Sequence, residues 1–272
     1  YVTLYGILIA FKNYRIKLGI LGSPWVGLAN FPKALGNSDV PRIIINTLFI
    51  SFCRLIFGFP VPIILAILLN ELKSPVFKRL VQSVLYLPYF LSWIIMAGIF
   101  SNLLSVTNGV IPIFMRSLGV EMPSLIADPK YFVQFLVVSD IWKNSGWGTI
   151  IYLAAISGID PELYESAVVD GAGRFQQVLH ITLPCIALTI VTLLVLSMGG
   201  IMNAGFDQIF NLYSARTMRV GDIIDTYVYR LGIQNGRYEY STIIGLLKSL
   251  VNCALLLTVN WIAGKITDSS PL

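Results

Sequence analysis

Long apolar stretches separated by shorter polar ones dominate this chain. A helix needs about 20 apolar residues to cross a bilayer, and several stretches are that long. The pattern therefore predicts an all-α, multi-pass membrane protein with a single transmembrane domain over residues 1–272. Its whole spans are expected at about 43–70, 80–104, 131–157, 179–204 and 241–264. Residues 1–11 are apolar but too short to span, and they are expected to be the end of a first, truncated helix, giving six in all.

The apolar stretches are not uniform. Arg54, Gly58, Pro60 and Pro62 interrupt the second predicted span, which should kink or break there. The uncharged stretch 80–115 is longer than one crossing requires, so a short surface helix is expected at 108–118. The polar segments 12–41 and 206–240 are predicted to be structured extramembrane loops, the second with a short helix around Asp222–Leu231.

Composition excludes an ordinary soluble domain. The 272 residues are 56% hydrophobic and only 12% charged, and mean hydropathy is +0.76. About a quarter of residues in soluble proteins are charged. The net charge of +5 is too modest to suggest a nucleic-acid partner. The three cysteines lie inside apolar runs and are expected to be small buried hydrophobic residues, and the single histidine, His180, leaves no metal-binding spacing.

The fourth predicted span carries a polar face. Asp140, Lys143, Asn144 and Trp147 occupy positions i, i+3, i+4 and i+7. A charge at the bilayer centre costs about 2.5–3.5 kcal/mol, so such residues face a polar cavity or each other. An indole beside amide and charged groups suits a sugar ring, which has apolar faces and polar edges. We predict that this face lines a substrate pathway; the alternative is an Asp140–Lys143 pair that only fastens helices together.

Weaker pathway candidates lie in the neighbouring spans. Lys248 and Asn252 stand at i and i+4 in the sixth predicted span, and Asn203 lies near the end of the fifth. The sequence leaves open whether Arg54 approaches the same cavity or extends outward. Tyr89 and Trp93 are expected to be core aromatic residues.

The segment after the fourth predicted span, residues 160–177, has a sequence typical of the start of a helix. Asp160 is a good N-cap and Pro161 a good first helical residue. Gly171 and Gly173 permit a turn into a second short helix. Within the first helix, an apolar stripe suits a groove on another protein: Leu163, Tyr164, Ala167 and Val168.

This segment also carries a family resemblance. From Glu165 it gives Glu-Ser-Ala, three residues, Gly171, nine residues, and then Ile-x-Leu-Pro ending at Pro184. The pattern resembles the EAA loop of bacterial ABC importer permeases, with Ser166 in place of the usual alanine. The resemblance implies the ABC importer permease fold with a cytoplasmic coupling helix. It assigns ATPase coupling to Glu165, Ser166, Ala167, Asp170, Gly171, Gly173, Leu183 and Pro184.

Other segments narrow the resemblance to carbohydrate permeases, in particular those that import oligosaccharides derived from polysaccharides. They are Pro24–Phe31, Leu87-Pro88, Asn108–Ile111, Asp140–Lys143 with Gly146–Gly148, and Phe206–Phe210. The implied partners are a second homologous permease in a heterodimer, two ABC ATPase subunits and an extracellular solute-binding protein. The implied location is the bacterial cytoplasmic membrane. No cofactor is expected on this chain, because ATP and Mg would bind the ATPase subunits.

Other functions fit the sequence less well. An ABC permease for peptides or amino acids remains open. An ion-coupled secondary transporter should have more intramembrane carboxylates than Asp140 alone, and a passive scaffold would need no polar face. Ala263-Gly264-Lys265-Ile266 is not a Walker A loop, and HExxH and GxSxG motifs are absent from the sequence, so an enzyme is not expected.

The positive charges disagree with the orientation that the coupling loop implies. The predicted inner side holds Lys73, Lys78, Arg79, Arg174 and Lys265. The predicted outer side holds more: Lys12, Arg15, Lys17, Lys33, Arg42, Arg116, Lys130, Arg216, Arg219, Arg230 and Arg237. Positive-inside counting would invert the protein. We place the coupling loop in the cytoplasm because ATP hydrolysis occurs there. The outer excess then points to an anionic substrate or an acidic binding protein, or to drift within the family.

Overall fold

A computed structural model describes residues 5–267, so the first four residues of the predicted truncated helix and residues 268–272 lie outside the description. Over the described part the chain is helical, with one isolated bridge between Lys12 and Trp25. The α-helices are α1 (Gly19–Gly22), α2 (Asn30–Leu35), α3 (Asp39–Cys53), α4 (Pro60–Asn70), α5 (Pro75–Tyr86), α6 (Trp93–Leu103), α7 (Val110–Ser117), α8 (Pro129–Ser157), α9 (Pro161–Val169), α10 (Arg174–Gln177), α11 (Leu183–Cys185), α12 (Ala187–Gly199), α13 (Phe206–Leu212), α14 (Met218–Gly221), α15 (Ile224–Tyr229) and α16 (Tyr238–Thr267).

Within residues 5–267, two helical stretches are long and apolar enough to cross a membrane, namely Asp39–Asn70 and Tyr238–Trp261. Two pairs of helices pass the same test when each pair is counted as one broken span, which raises the number to as many as four. Helix α8 has 29 residues and a length of about 44 Å, but its polar residues, including Asp140 and Lys143, lower its hydropathy. Its crossing of the membrane, like the total of six, stays a prediction.

The interruption expected in the second span is a π-helical segment, Arg54–Gly58, between α3 and α4. The third predicted span, 80–104, corresponds to two helices that meet at a bend of 102°. Helix α5 ends at Tyr86, a 3-10 turn covers Leu87–Phe90, and Leu91 is extended before α6 begins. Pro88 lies within that turn and cannot donate a backbone hydrogen bond, which favours a break there.

The fifth predicted span, 179–204, is also broken. A π-helical segment, Val178–Thr182, leads into α11, and the chain bends by 61° near Ile186 before α12. Pro184 lacks the N–H that would continue the helix, so the bend has a local cause. Helix α12 ends at Gly199, which leaves Asn203 outside the helix in which it was predicted.

The chain divides into two compact units. The first comprises residues 1–52, 93–136 and 200–255. Its cores include a cluster around Phe132, Leu136 and Ile209, and another around Ile43 and Met202. The polar segments 12–41 and 206–240 are structured, as predicted, and the expected helix near Asp222 is α15, followed by a π-helical segment, Arg230–Gln234.

The second unit comprises residues 53–92, 137–199 and 256–272, and its core surrounds Ala66, Tyr152, Ile156 and Ile186. The cysteine prediction needs correction here and in the first unit. Cys185 and Cys253 are exposed on the isolated chain and Cys53 is half-buried. Because they lie in apolar helices, their exposed surfaces suit lipid or a partner subunit.

Candidate coupling and pathway sites

The coupling segment begins as its sequence predicts. Helix α9 starts at Pro161, and the Asp160 carboxylate accepts a hydrogen bond from the Glu162 amide at 3.0 Å. The helix ends in a turn at Gly171, whose φ of +80° lies in the left-handed region that favours glycine. Gly173 then caps α10, and its amide donates to the Gln176 side chain at 2.8 Å. The two glycines therefore join two short helices at a fixed angle.

Side chains attach this segment to the second unit at several points. The hydroxyls of Tyr164 and the buried Thr182 are 2.9 Å apart. Arg174 contacts Glu71, on the connector before α5, at 2.7 Å. Within the segment itself, Gln177 donates to the Ala172 carbonyl at 2.9 Å. These contacts, which span 18 and 103 residues of sequence in the first two cases, allow the segment to move as one body with the unit.

The exposed apolar face of the segment differs from the predicted stripe. Tyr164 and Ala167 are half-buried and face back into the protein. The exposed apolar surface comprises Leu163 and Val168 of the predicted stripe together with Val169 and Phe175, the last two 87% and 79% exposed. Of the other candidate coupling residues, Glu165, Ser166, Asp170 and Pro184 are exposed, while Leu183 is half-buried at the helix bend. Phe175 was not predicted, because it lies on α10 and the predicted stripe was defined on α9 alone.

In the second unit, Asp140 on α8 forms an ion pair with Arg54, with 3.6 Å between Nη1 and Oδ1. The side chains are only 21% and 12% exposed. Asn144 supports the pair by donating to Asp140 Oδ1 at 2.9 Å. Arg54 thus points toward Asp140, which answers the question that the sequence left open. The ion-pair partner of Asp140 is thus Arg54, and not Lys143 as in the alternative that helical spacing offered.

The side chain of Lys143 contacts backbone carbonyls of the protein. Its buried Nζ donates to the carbonyls of Pro88, Tyr89 and Leu91 at 3.2, 2.7 and 2.6 Å. These carbonyls lie where the helix breaks, and a helix end leaves carbonyls without intrahelical partners. The lysine therefore caps the break between α5 and α6 from a helix more than 50 residues away. No local sequence signal could have shown that.

Trp147 stacks on Tyr89, with ring centroids 4.8 Å apart and planes inclined by only 6°. The ammonium of Lys143 lies 5.4 Å from the same tyrosine ring. Trp147 is 46% exposed, so one side of the stacked pair remains accessible. Tyr89, predicted to be a core residue, is half-buried and belongs to this cluster.

Two glycines allow α8 to pack closely against neighbouring segments. A Cβ on Gly146 would lie 2.1 Å from the Leu85 carbonyl oxygen, and one on Gly148 would lie 3.0 Å from Pro62. The Gly-Trp-Gly sequence therefore places two sites of close approach, to Leu85 and to Pro62, on either side of an exposed indole.

The first unit contains the remaining candidates. Lys248 donates to Asp225 and to Asn203, both at 2.6 Å. Asn252, one turn further along α16, accepts from the Met202 amide at 3.4 Å. The structure thus brings Asn203, Lys248 and Asn252 to one region of this unit. Asp225 was missed, because it lies in a loop helix and its spacing gave no indication of a partner on α16.

Comparison with known proteins is consistent with these features. The family model "Binding-protein-dependent transport system inner membrane component" matches residues 58–267. Protein LplB of Bacillus subtilis is 44% identical over 97% of this chain and 83% of its own. The polygalacturonan/rhamnogalacturonan transport system permease protein YteP of the same organism is 42% identical over the same shares.

Solved structures agree as well. The crystal structure of a bacterial ABC transporter involved in the import of the acidic polysaccharide alginate contains a chain that is 39% identical. It superposes with a TM-score of 0.91 over 98% of this chain and 90% of that one. A second structure of a bacterial alginate transporter, in complex with an alginate pentasaccharide-bound periplasmic protein, matches at 38% identity and the same TM-score. With its helical fold, its coupling segment and these relatives, the chain belongs to the binding-protein-dependent transport system inner membrane components, the permease subunits of ABC importers.

Proposed function

We propose that this permease forms part of the translocation path for oligosaccharides delivered by an extracellular solute-binding protein. The coupling segment carries the importer assignment: two short helices joined at Gly171, fixed to the second unit, with an exposed apolar face suited to an ATPase groove. The sugar class rests on the relatives, because YteP is named for polygalacturonan and rhamnogalacturonan and the structural neighbours for alginate.

The energy source lies on other chains. A second, distinct permease and two ABC ATPase subunits would complete the assembly in a bacterial cytoplasmic membrane, and ATP and Mg would bind the ATPases. When the ATPase dimer closes, it would move the coupling segment as a rigid body. The packed helices of the second unit would follow, because close-packed elements switch between discrete arrangements.

An acidic oligosaccharide fits best within the sugar class. The segments predicted to lie outside carry most of the arginines and lysines, and such a field attracts anionic solutes. The alginate named for the structural neighbours is an acidic polysaccharide. Uronate-bearing oligosaccharides are therefore the substrates to test first.

The assignment is tested by reconstituting the complete importer in liposomes and measuring how its binding protein stimulates ATP hydrolysis. We expect stimulation with a trigalacturonate-loaded binding protein, and a weaker response with the fully methyl-esterified trimer. Stimulation by peptides or amino acids alone would contradict the sugar assignment and favour another ABC substrate class.

The pathway prediction centres on Trp147, because its exposed indole stacks on Tyr89 beside polar groups. Trp147→Ala should reduce uptake at least tenfold while the complex still assembles, and Trp147→Phe should retain most uptake, since an aromatic surface remains. Trp142→Ala, on another face of α8 and 50% exposed, is the matched control. Equal losses for both alanine variants would contradict a specific role for Trp147.

A further inference from the structure

The first unit contains a polar cavity that the coupling and pathway residues do not use. It has a volume of about 480 Å³ and adjoins a smaller one of about 140 Å³. Both are lined by Asn37, Tyr227, Leu231 and Arg237. The larger volume lies within the range of about 300–1,000 Å³ that is typical of small-ligand sites. The walls come from the two segments predicted to lie outside the membrane, 12–41 and 206–240.

Among the described residues, some charged side chains around this cavity have ion-pair partners and others do not. Arg230 is held by Asp222 through two hydrogen bonds, at 3.1 and 2.5 Å, and these bonds raise the pKa of Arg230 above its ordinary value. Asp39, also in the wall, pairs with Arg42 at 2.7 Å. Within residues 5–267, by contrast, neither Arg237 nor Lys33 has a carboxylate at ion-pair distance. Two cations are thus left for a ligand.

Aromatic rings and amides lie beside the charged groups of the cavity. Arg237 lies over the Tyr240 ring, with its guanidinium carbon 5.8 Å from the ring centroid, which limits its orientations. Asn37 and Asn235 supply amides, and Asn37 Oδ1 already accepts from the Asp39 amide, so its Nδ2 is the group that can serve a ligand. Burial raises the pKa of Tyr227, so its hydroxyl stays protonated and can donate.

We propose that this cavity binds the carboxylate of a uronate sugar, with Arg237 as the principal contact and Lys33 as the second charge. A guanidinium matches a carboxylate with two parallel hydrogen bonds, and the amides and phenols can serve the ring hydroxyls. The proposal rests on the proposed function for its acidic oligosaccharide. It adds a binding site in the segments that are predicted to face outside, separate from Trp147.

A small ligand suits the cavity better than a docked protein does. A stable protein interface usually buries about 800 Å² on each partner around an apolar core. Here the wall is concave and mostly polar, and Leu231 is the one aliphatic residue that lines both parts. The site resembles a pocket that holds a single sugar unit.

The test uses the assembled importer in nanodiscs without its binding protein, and measures direct binding of trigalacturonate by calorimetry. A hydrogen bond to a charged group contributes about 1.5–3 kcal/mol, so Arg237→Gln should weaken binding by roughly tenfold or more. Lys33→Gln should weaken it less. Arg216→Gln is the control, because Arg216 is an exposed arginine of the same predicted loop outside the cavity wall. The methyl-esterified trimer should bind weakly to every variant.

The outcomes separate this site from the proposed function. Equal affinity for the trimer and its methyl ester would overturn the carboxylate site, as would equal losses in the Arg237 and Arg216 variants. So would an absence of direct binding in an importer that still takes up trigalacturonate. If binding follows the expected order but no oligosaccharide is transported, the site stands and the transport assignment falls. Unchanged unfolding temperature in Arg237→Gln excludes misfolding as the cause.

Discussion

At the residue scale, each charged side chain on the polar face of α8 has a specific partner. Asp140 pairs with Arg54, and Lys143 caps the carbonyls at the break after α5. Unpaired charges in an apolar environment are costly, so these contacts explain how α8 can carry them. They also distinguish two groups of residues on the predicted pathway face. Asp140 and Lys143 are engaged within the protein, whereas Trp147 is 46% exposed; that this face lines a substrate pathway stays a prediction.

Lys143→Met should destabilise the protein, because it keeps the length of the side chain but removes three hydrogen bonds to backbone carbonyls. We expect a loss of roughly 2–4 kcal/mol, measured as a lower unfolding temperature of the purified complex. Lys130→Met, at the exposed start of the same helix, is the control and should change little. If the two variants unfold at the same temperature, Lys143 does not act as a cap.

A double-mutant cycle tests the ion pair. Asp140→Asn leaves the Arg54 guanidinium without its carboxylate and should cost about 3–5 kcal/mol. Adding Arg54→Gln should recover most of that loss, since neither buried charge then remains. Thermal unfolding of all four proteins gives the coupling free energy. Strict additivity of the two single effects would show that the contact contributes nothing specific.

At the element scale, breaks in the helices determine where functional groups lie. The turn at Leu87–Phe90 frees the carbonyls that Lys143 binds, and the bend after Pro184 turns α12 by 61° from the preceding helix. The turn at Gly171 orients α9 relative to α10, which together carry the exposed apolar face. A change at that turn should alter the angle of the face without disturbing the rest of the unit.

Gly171→Leu should disrupt the mechanical connection between this permease and the ATPase subunits. A Cβ at this position meets no atom within 4 Å, so the cost is conformational and amounts to about 1–2 kcal/mol for a left-handed L-residue. Gly171→Asn is the matched variant, because asparagine tolerates this conformation. We expect the leucine variant to reach the membrane but to lose uptake and ATPase stimulation, and the asparagine variant to keep most of both. Normal coupling in the leucine variant would refute the role of the turn.

At the scale of the whole molecule, the two units contain segments that are predicted to lie on opposite sides of the membrane. The first contains the predicted outer segments 12–41 and 206–240, and the second contains the coupling segment and the connector with Glu71. This grouping is the same in either membrane orientation, so the orientation rests on the coupling motif. The excess of outer cations then needs a function, and an acidic sugar supplies one.

Cysteine labelling tests the orientation directly. With Cys53, Cys185 and Cys253 replaced, a cysteine at the exposed Ser166 should react with an impermeant maleimide only from the cytoplasmic side. A cysteine at the exposed Ser38 should react only from outside. Labelling of intact cells and of inverted vesicles distinguishes the two. The reverse pattern would show that the positive charges, and not the motif, report the true orientation.

The sequence by itself determined the helical membrane class, the start of α9 at Pro161, the turn at Gly171 and the family, because caps, glycines and apolar runs act over a few residues. It also marked Trp147 and the interruption at Arg54. Only the tertiary structure decided the partners of the charges: Arg54 for Asp140, three carbonyls for Lys143 and Asp225 for Lys248. Helical spacing offered Lys143 as a partner for Asp140, but the structure places an ion pair and hydrogen bonds to distant segments at these groups. Long-range contacts of this kind depend on how helices pack, and local pattern carries no information about them.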